Sequence, residues 1–382
     1  MMRAYNKMME ESDLRVNYAP FGRTGKSLPS AHNLTVIQIA RHGPGWAPIN
    51  YMADLAARSF GTKVVPLKKT RFSLSQLLFS LQERERHADK PDLLLIAPTP
   101  RDLLMLGEFE GWRSSFNTAV AWIVDSFWLE QAPPFGIASK FDKIFVMTGN
   151  EVEGYQARLK RPTSFLPWGT DALELGLGAV KMPAADQKNV DLLRIGRQPT
   201  LLDDDEVNAR ACHDLDMSYL GRPPFSQDML ELHRNNMTYY RRSKFVLASS
   251  NLASPKPYTH PTREYVTARW TDALAGGCIV AGVPPYTDYT LKELFWPGAL
   301  LELDCLDRDR AFATVREGVE RWNPEQAYEN FCMALERLDW RWRFKEIADF
   351  FGHRFPALES DLARMNRMLE QPRHAMSRLP AA

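Results

Sequence analysis

Residues 263–281 read Arg263-Glu264-Tyr265-Val266-Thr267-Ala268-Arg269-Trp270-Thr271-Asp272-Ala273-Leu274-Ala275-Gly276-Gly277-Cys278-Ile279-Val280-Ala281. Two carboxylates, Glu264 and Asp272, stand eight residues apart. Small residues follow the second acid, Gly276 and Gly277 permit a tight exit, and an apolar strand over 278–281 completes the unit. The pattern predicts a helix opening near Pro261 or Thr262, after a loop over 251–261, with Glu264 in its first turn. Unsatisfied backbone N–H groups at such a start favour an anion. Arg269 and Asp272, three residues apart, share a face of that helix. Carboxylates suit vicinal hydroxyls, and Arg263 or Arg269 offers phosphate a planar fork. The plainer reading is a solvated amphipathic helix whose charges pair with one another. The buried strand that follows weighs against it.

Outward from this stretch, short apolar runs alternate with helical patterns. Strands are expected at 34–40, 63–67, 92–97, 118–124 and 143–147. Helices are expected at 49–59, 74–86, from Asp102 onward, and at 151–160. A segment containing Pro and Gly, 163–171, ends this rhythm, and a less periodic connector covers 172–188. A second alternation then places strands at 190–195, 217–220, 245–248, 278–281 and 299–303. Its helices are at 203–215, 226–241, 308–321, 324–337 and 339–351. Such alternation predicts an α/β chain with parallel sheets covered on both faces. The expected organisation is two Rossmann-like domains, 33–171 and 189–338, facing a central cleft. An arm over 1–32, a linker over 172–188, C-terminal helices over 339–370 and a tail over 371–382 complete it. Ligands of such sheets collect outside the carboxyl ends of the strands.

The bulk numbers exclude several classes. A chain of 382 residues with 45% hydrophobic and 25% charged side chains is an ordinary globular protein of two-domain size. Its net charge of +1 argues against nucleic acid as a partner. The small basic excess of the first half permits a peripheral membrane contact. Cys212, Cys278, Cys305 and Cys332 form no C-x-x-C pair, so neither zinc nor a disulfide framework is expected. No run is long and apolar enough to span a bilayer, and residues 1–30 show no signal-peptide core. The expected location is the cytoplasm.

Other residues carry candidate chemistry. Arg41-His42-Gly43-Pro44-Gly45 follows the first strand at the edge that faces ligands. Gly43 and Gly45 would let backbone approach a ligand, and His42 is a candidate base. The alternative is an ordinary turn with a surface histidine. Asp125 ends a strand at the same edge and is a second candidate base, although helix capping is its commoner use. Asp203-Asp204-Asp205-Glu206 reads as a helix start capped by Asp203 rather than as a metal site. His260 lies four residues before Glu264, within reach of a bound phosphate. Trp322, Trp340, Trp342, Phe344, Phe350 and Phe351, at helical spacing, read as core.

Residues 263–282 resemble the E-x7-E region of family 4 and related group 1 glycosyltransferases of the GT-B fold. The form Arg269-Trp270-Thr271-Asp272-Ala273-Leu274-Ala275-Gly276 is closest to the spore-maturation-type bacterial branch. Leu166-Pro167-Trp168-Gly169-Thr170-Asp171 resembles the segment that ends the first domain of these enzymes. Leu193-Arg194-Ile195-Gly196-Arg197 sits where they open the second. The resemblance covers about residues 34–350. It implies a first domain for the acceptor, a second for a UDP- or GDP-type sugar donor, and last helices that cross back to the first. It further implies retention of configuration, no metal or cofactor, and a glycan or small-molecule acceptor in cell-surface polysaccharide synthesis. Asp272 would hold the ribose, Glu264 the donor sugar, and Arg197 and Arg269 the diphosphate. Two departures stand out: Asp272 replaces the usual Glu, and the lysine often found after Gly-Arg is missing, leaving Lys256 or Arg263 to supply charge. These departures favour, as alternatives, a non-catalytic nucleotide- or glycan-binding protein; a nucleotide-sugar epimerase is the other. A dehydrogenase is disfavoured because no G-x-G-x-x-G follows Ala40.

Overall fold

The computed structural model describes residues 34–68, 89–109, 111–133, 140–179, 188–285 and 294–370. The expected arm, the helix at 74–86 and the tail lie outside the described residues. By internal contacts the chain forms two units. Unit 1 takes residues 1–167, 227–230 and 343–359; unit 2 takes 168–226, 231–342 and 360–382.

In unit 1, Leu34–Ala40 (β1) and Asp92–Ala97 (β3) are buried at every position, the signature of parallel strands covered on both faces. They join Val64–Lys68 (β2), Ala119–Ile123 (β4), Lys143–Val146 (β5) and Thr163–Phe165 (β6) in one parallel sheet. The order is β2-β1-β3-β4-β5-β6, so the winding direction changes between β1 and β3. Helices Ala47–Ser59 (α1) and Val152–Leu159 (α2) follow β1 and β5. The helix expected from Asp102 onward is Pro100–Glu108, which winds as a 3-10 helix. Residues 343–359 complete the unit: Phe344 packs on Phe60 and Trp122, and the ring of His353 meets the Asp92 carboxylate at 2.7 Å.

Unit 2 begins with a short helix, Ala172–Leu175 (α3), inside the expected linker. Val190–Arg194 (β7), Tyr219–Leu220 (β8), Ser243–Leu247 (β9), Ile279–Gly282 (β10) and Leu300–Glu302 (β11) form its parallel sheet. The order β11-β10-β9-β7-β8 puts its change of winding between β7 and β9. Helices Asp205–Asp214 (α4), Met229–Arg242 (α5), Ala268–Ala275 (α6), Arg308–Arg321 (α7) and Pro324–Arg337 (α8) cover the strands. Trp340–Phe351 (α9) and Pro356–Glu370 (α10) each run across the division between units.

Two buried basic side chains brace unit 2. Arg341 is enclosed with Asp171, Asp339 and Asp361 at 2.8, 3.2 and 2.6 Å. Lys188 donates to the carbonyls of Tyr240, Ser243 and Gly276 at 3.2, 2.6 and 2.8 Å, closing the carboxyl ends of α5 and α6. Of the aromatics read as core, Trp340 and Phe344 are buried and Trp322 and Trp342 partly so, whereas Phe350 is exposed.

Two expected helix starts are corrected. Helix α4 is capped by Asp204, whose carboxylate accepts from Glu206 N and Val207 N, because Asp203 is claimed by Arg194. Helix α6 begins at Ala268 with Thr267 at its N-cap, so Glu264 lies in the preceding loop, not in a first helical turn. The loop persists because Asn251 Nδ2 donates to the carbonyls of His260 and Arg263, both at 2.8 Å.

Candidate functional site

The carboxyl ends of β7 and β9 flank the change of winding in unit 2, where open parallel sheets bind ligands. Arg269, in the first turn of α6, bridges the two strand ends. Its Nη1 donates to the Arg197 carbonyl at 2.5 Å and its Nη2 to the Ser249 carbonyl at 3.3 Å. Gly196 makes this possible. It has φ +71°, and a Cβ there would lie 2.9 Å from Arg269 Cδ. Arg197 in turn donates through Nε to Ser254 Oγ at 3.2 Å. Among the described residues neither arginine has a carboxylate partner. Burial lowers the Arg269 pKa to about 10, and the nearby Arg197 charge contributes. Arg269 remains cationic at neutral pH. Thr267 Oγ1, at the head of α6, is enclosed and makes no hydrogen bond. Two guanidinium groups without a carboxylate partner among the described residues, an uncapped helix start and a left-handed glycine together make a corner that could hold an anion.

Beside this corner the ends of the strands carry a groove of about 570 Å³. Pro199–Leu201 after β7, Ala253 after β9, Val283 after β10 and Leu303–Leu306 after β11 line it. Its walls are mostly apolar, with Thr200 and Asp304 as polar points.

The other sequence candidates in unit 2 fall elsewhere. Asp272 is 3% exposed and faces inward: Oδ1 accepts from Thr170 Oγ1 at 2.8 Å, and Oδ2 lies 3.8 Å from His233 Nδ1. Burial, with Asp171 adding, raises the Asp272 pKa to about 8 against the lowering effect of the Thr170 bond. Burial drops that of His233 to about 4. Near neutrality the pair is therefore predominantly uncharged. A ribose contact, as the resemblance implies, is closed to Asp272 in this conformation. His260 is also buried, and its Nδ1 accepts from Thr262 N and Arg263 N at 3.2 and 3.0 Å, which makes it a loop clamp. Glu264 and Arg263 are half-buried in the same loop. Lys256, the expected substitute cation, reaches Asp203 at 3.3 Å.

Unit 1 has a corresponding strand end. Arg41, just after β1, donates from Nη2 to both carboxylate oxygens of Asp102 at 2.7 and 2.8 Å, and Asp102 also accepts from Thr99 N and Oγ1. His42 is half-buried beside it, Gly43 has φ +106°, and Gly45 is open with no atom near its absent Cβ. Asp125 follows β4 at the same edge of the sheet. Ser249, Ser254 and Thr267 were not singled out by sequence, since isolated hydroxyl residues carry no spacing signal. Among the described residues no group of three or more His, Cys, Asp or Glu is arranged to hold a metal, and all four cysteines are free thiols.

The architecture matches solved structures. Anabaena Alr3699/HepE in complex with UDP and glucose aligns with a TM-score of 0.53 at 13% identity, over 84% of this chain and all of that one. The UDP complex of the same protein aligns at 0.50 and 12%, over 84% and 99%. The chain has the GT-B fold. Sucrose-phosphate synthase of Thermosynechococcus elongatus aligns at 0.48 and 12%, over 83% and 98%. No protein-family model and no curated protein sequence matches the chain. Among the described residues no helix is long and apolar enough to cross a membrane.

Proposed function

We propose that the protein is a glycosyltransferase that moves a sugar from a nucleoside-diphosphate sugar to an acceptor hydroxyl. One observation carries this reading. Arg197 and Arg269 converge where β7 and β9 end, and among the described residues only carbonyl and hydroxyl oxygens accept their hydrogen bonds. As the glycosidic bond to the donor breaks, negative charge builds on the departing diphosphate, and fixed guanidinium groups stabilise that charge without reorganising. They take the place of a divalent metal, so transfer proceeds in the presence of a chelator. The UDP and glucose held by HepE, a protein of the same fold, agree with a UDP-type donor.

Within this reading Glu264 and Arg263, in the loop ahead of α6, serve the donor sugar, and Asp272 positions α6 through Thr170. His42 and Asp125 of unit 1 are the candidates to accept the acceptor's proton, with retention of anomeric configuration and a cell-surface glycan as the acceptor class. The enclosed Asp272 favours a second reading: a protein of this fold that binds nucleotide without turnover. Titration calorimetry with UDP and GDP, followed by a transfer and hydrolysis assay over a panel of nucleotide sugars, separates the two. Binding with sugar transfer supports the enzyme. Binding with neither transfer nor hydrolysis selects the second reading, and absence of binding rejects both.

A further inference from the structure

Among the described residues, every large apolar side chain of unit 2 that stands exposed lies on a loop beyond the carboxyl end of a strand. Phe225 follows β8, Leu252 and Tyr258 follow β9, and Leu306 follows β11. Phe225 and Tyr258 are aromatic and are 69% and 58% exposed. A shared carboxylate ties their loops together. Asp203 accepts from Arg222 at 3.2 Å on the Phe225 side and from Lys256 at 3.3 Å on the Tyr258 side, while Arg194, at the end of β7, holds it from within the fold.

The Tyr258 loop is stiff. Pro257 and Tyr258 occupy the centre of a turn closed by Thr259 N donating to the Lys256 carbonyl at 2.9 Å. Thr259 Oγ1 accepts from Lys256 N at 3.1 Å and donates to the Lys256 carbonyl at 2.9 Å. Beneath the tip, Thr259 and His260 are buried. One limb of the loop rests on Arg197 through Ser254, and the other is fastened by Asn251. An aromatic ring held in water by a fixed turn adds little to the core, yet it can meet a planar ligand with little loss of freedom.

We propose that Tyr258 and Phe225 are the stacking faces for the nucleobase of the donor, with Asp203 as the positioning residue that sets their loops beside the arginine corner. This deepens the nucleotide-sugar reading and rests on it. The rings lie on loops reaching outward from the same edge at which Arg197 and Arg269 await a diphosphate. Stacking on both would hold the base and leave the sugar end of the donor to the loop ahead of α6.

Calorimetric titration of the parent, Tyr258→Ala, Phe225→Ala and Tyr258→Phe with UDP, GDP and inorganic pyrophosphate tests this. Both alanine variants are expected to bind UDP and GDP roughly 5- to 150-fold more weakly, to bind pyrophosphate like the parent, and to melt with it. Tyr258→Phe keeps the ring and should match the parent. Unchanged UDP and GDP affinity in both alanine variants, with the parent binding, overturns the stacking role and leaves the arginine corner standing. An equal loss of pyrophosphate also overturns it, because the rings would then act on the phosphates. A parent that binds none of the three removes the corner and this inference together.

Discussion

Two strand ends occupy the same topological place in the two units, and each carries an arginine. At β1 of unit 1, Arg41 is matched by both oxygens of the buried Asp102. At β7 and β9 of unit 2, Arg269 and Arg197 donate, among the described residues, only to carbonyl and hydroxyl oxygens. In the first case the charge is neutralised inside the fold and the arginine holds structure. In the second, on the proposed reading, the compensation comes from a ligand. Position at a change of winding therefore does not make a binding corner; the difference lies in whether the fold supplies the counter-charge.

The largest expected effect tests that difference directly. Arg269→Ala should weaken nucleoside diphosphate binding by about 100-fold or more in calorimetry, since two charge-assisted contacts go at once. It also frees the Arg197 and Ser249 carbonyls and should cost about 1–3 kcal/mol of stability, so affinity is compared below the melting range of both proteins. Arg41→Ala should do the reverse. It leaves Asp102 buried without its guanidinium and should cost about 3 kcal/mol in denaturant unfolding, with nucleotide affinity unchanged. A loss of affinity in Arg41→Ala alone would invert the assignment of the two ends.

Gly196→Ala comes next. A Cβ at φ +71° is strained and would press on Arg269 Cδ at 2.9 Å. About a 10-fold loss of nucleotide affinity and a cost of about 1–2 kcal/mol are expected. The floor of unit 2 adds a pH dependence. The Asp272 pKa is raised to about 8, so the folded state holds a proton that the unfolded chain releases near pH 4. Its stabilising effect is complete below that pH and fades as pH rises to about 8. His233, lowered to about 4, opposes it between about pH 4 and 6.5, where the unfolded chain binds the extra proton. The net result is a decline between about pH 6.5 and 8, on the order of 1–2 kcal/mol. Asp272→Asn should flatten it in urea titrations across that range; an unchanged slope would rule out Asp272 as the source. The smallest effect belongs to unit 1: Gly45→Ala meets open space and should leave both stability and binding within about 0.5 kcal/mol of the parent.

Much of the fold was legible in the sequence where a local signal was unambiguous. Short apolar runs marked Leu34–Ala40 and Asp92–Ala97, and helical patterns marked Arg308–Arg321 and Pro324–Arg337, where the structure adds the caps Asp307 and Asn323. Thr163–Phe165 escaped because a three-residue edge strand with two hydroxyl side chains shows no periodicity; its pairing with β5 makes it a strand. The candidate site was legible only in part. Arg197, Arg269 and Gly196 lay in recognisable motifs, whereas Phe225 and Tyr258 had no spacing signal. Asp203 and Asp204 are chemically identical neighbours, and only the place of Arg194 decides which of them caps the helix.

The sequence by itself determined the alternation of buried strands and covering helices, because hydrophobic periodicity is a local property that every tertiary context must satisfy. Tertiary structure alone decided which charges are spent. Asp272 turns inward to Thr170, a residue 102 positions away in the chain, and is silenced by burial, while Arg269 is held on backbone oxygens and keeps its charge. Desolvation and the choice of partner are set by residues distant in sequence, and no spacing of acids and arginines along the chain encodes them.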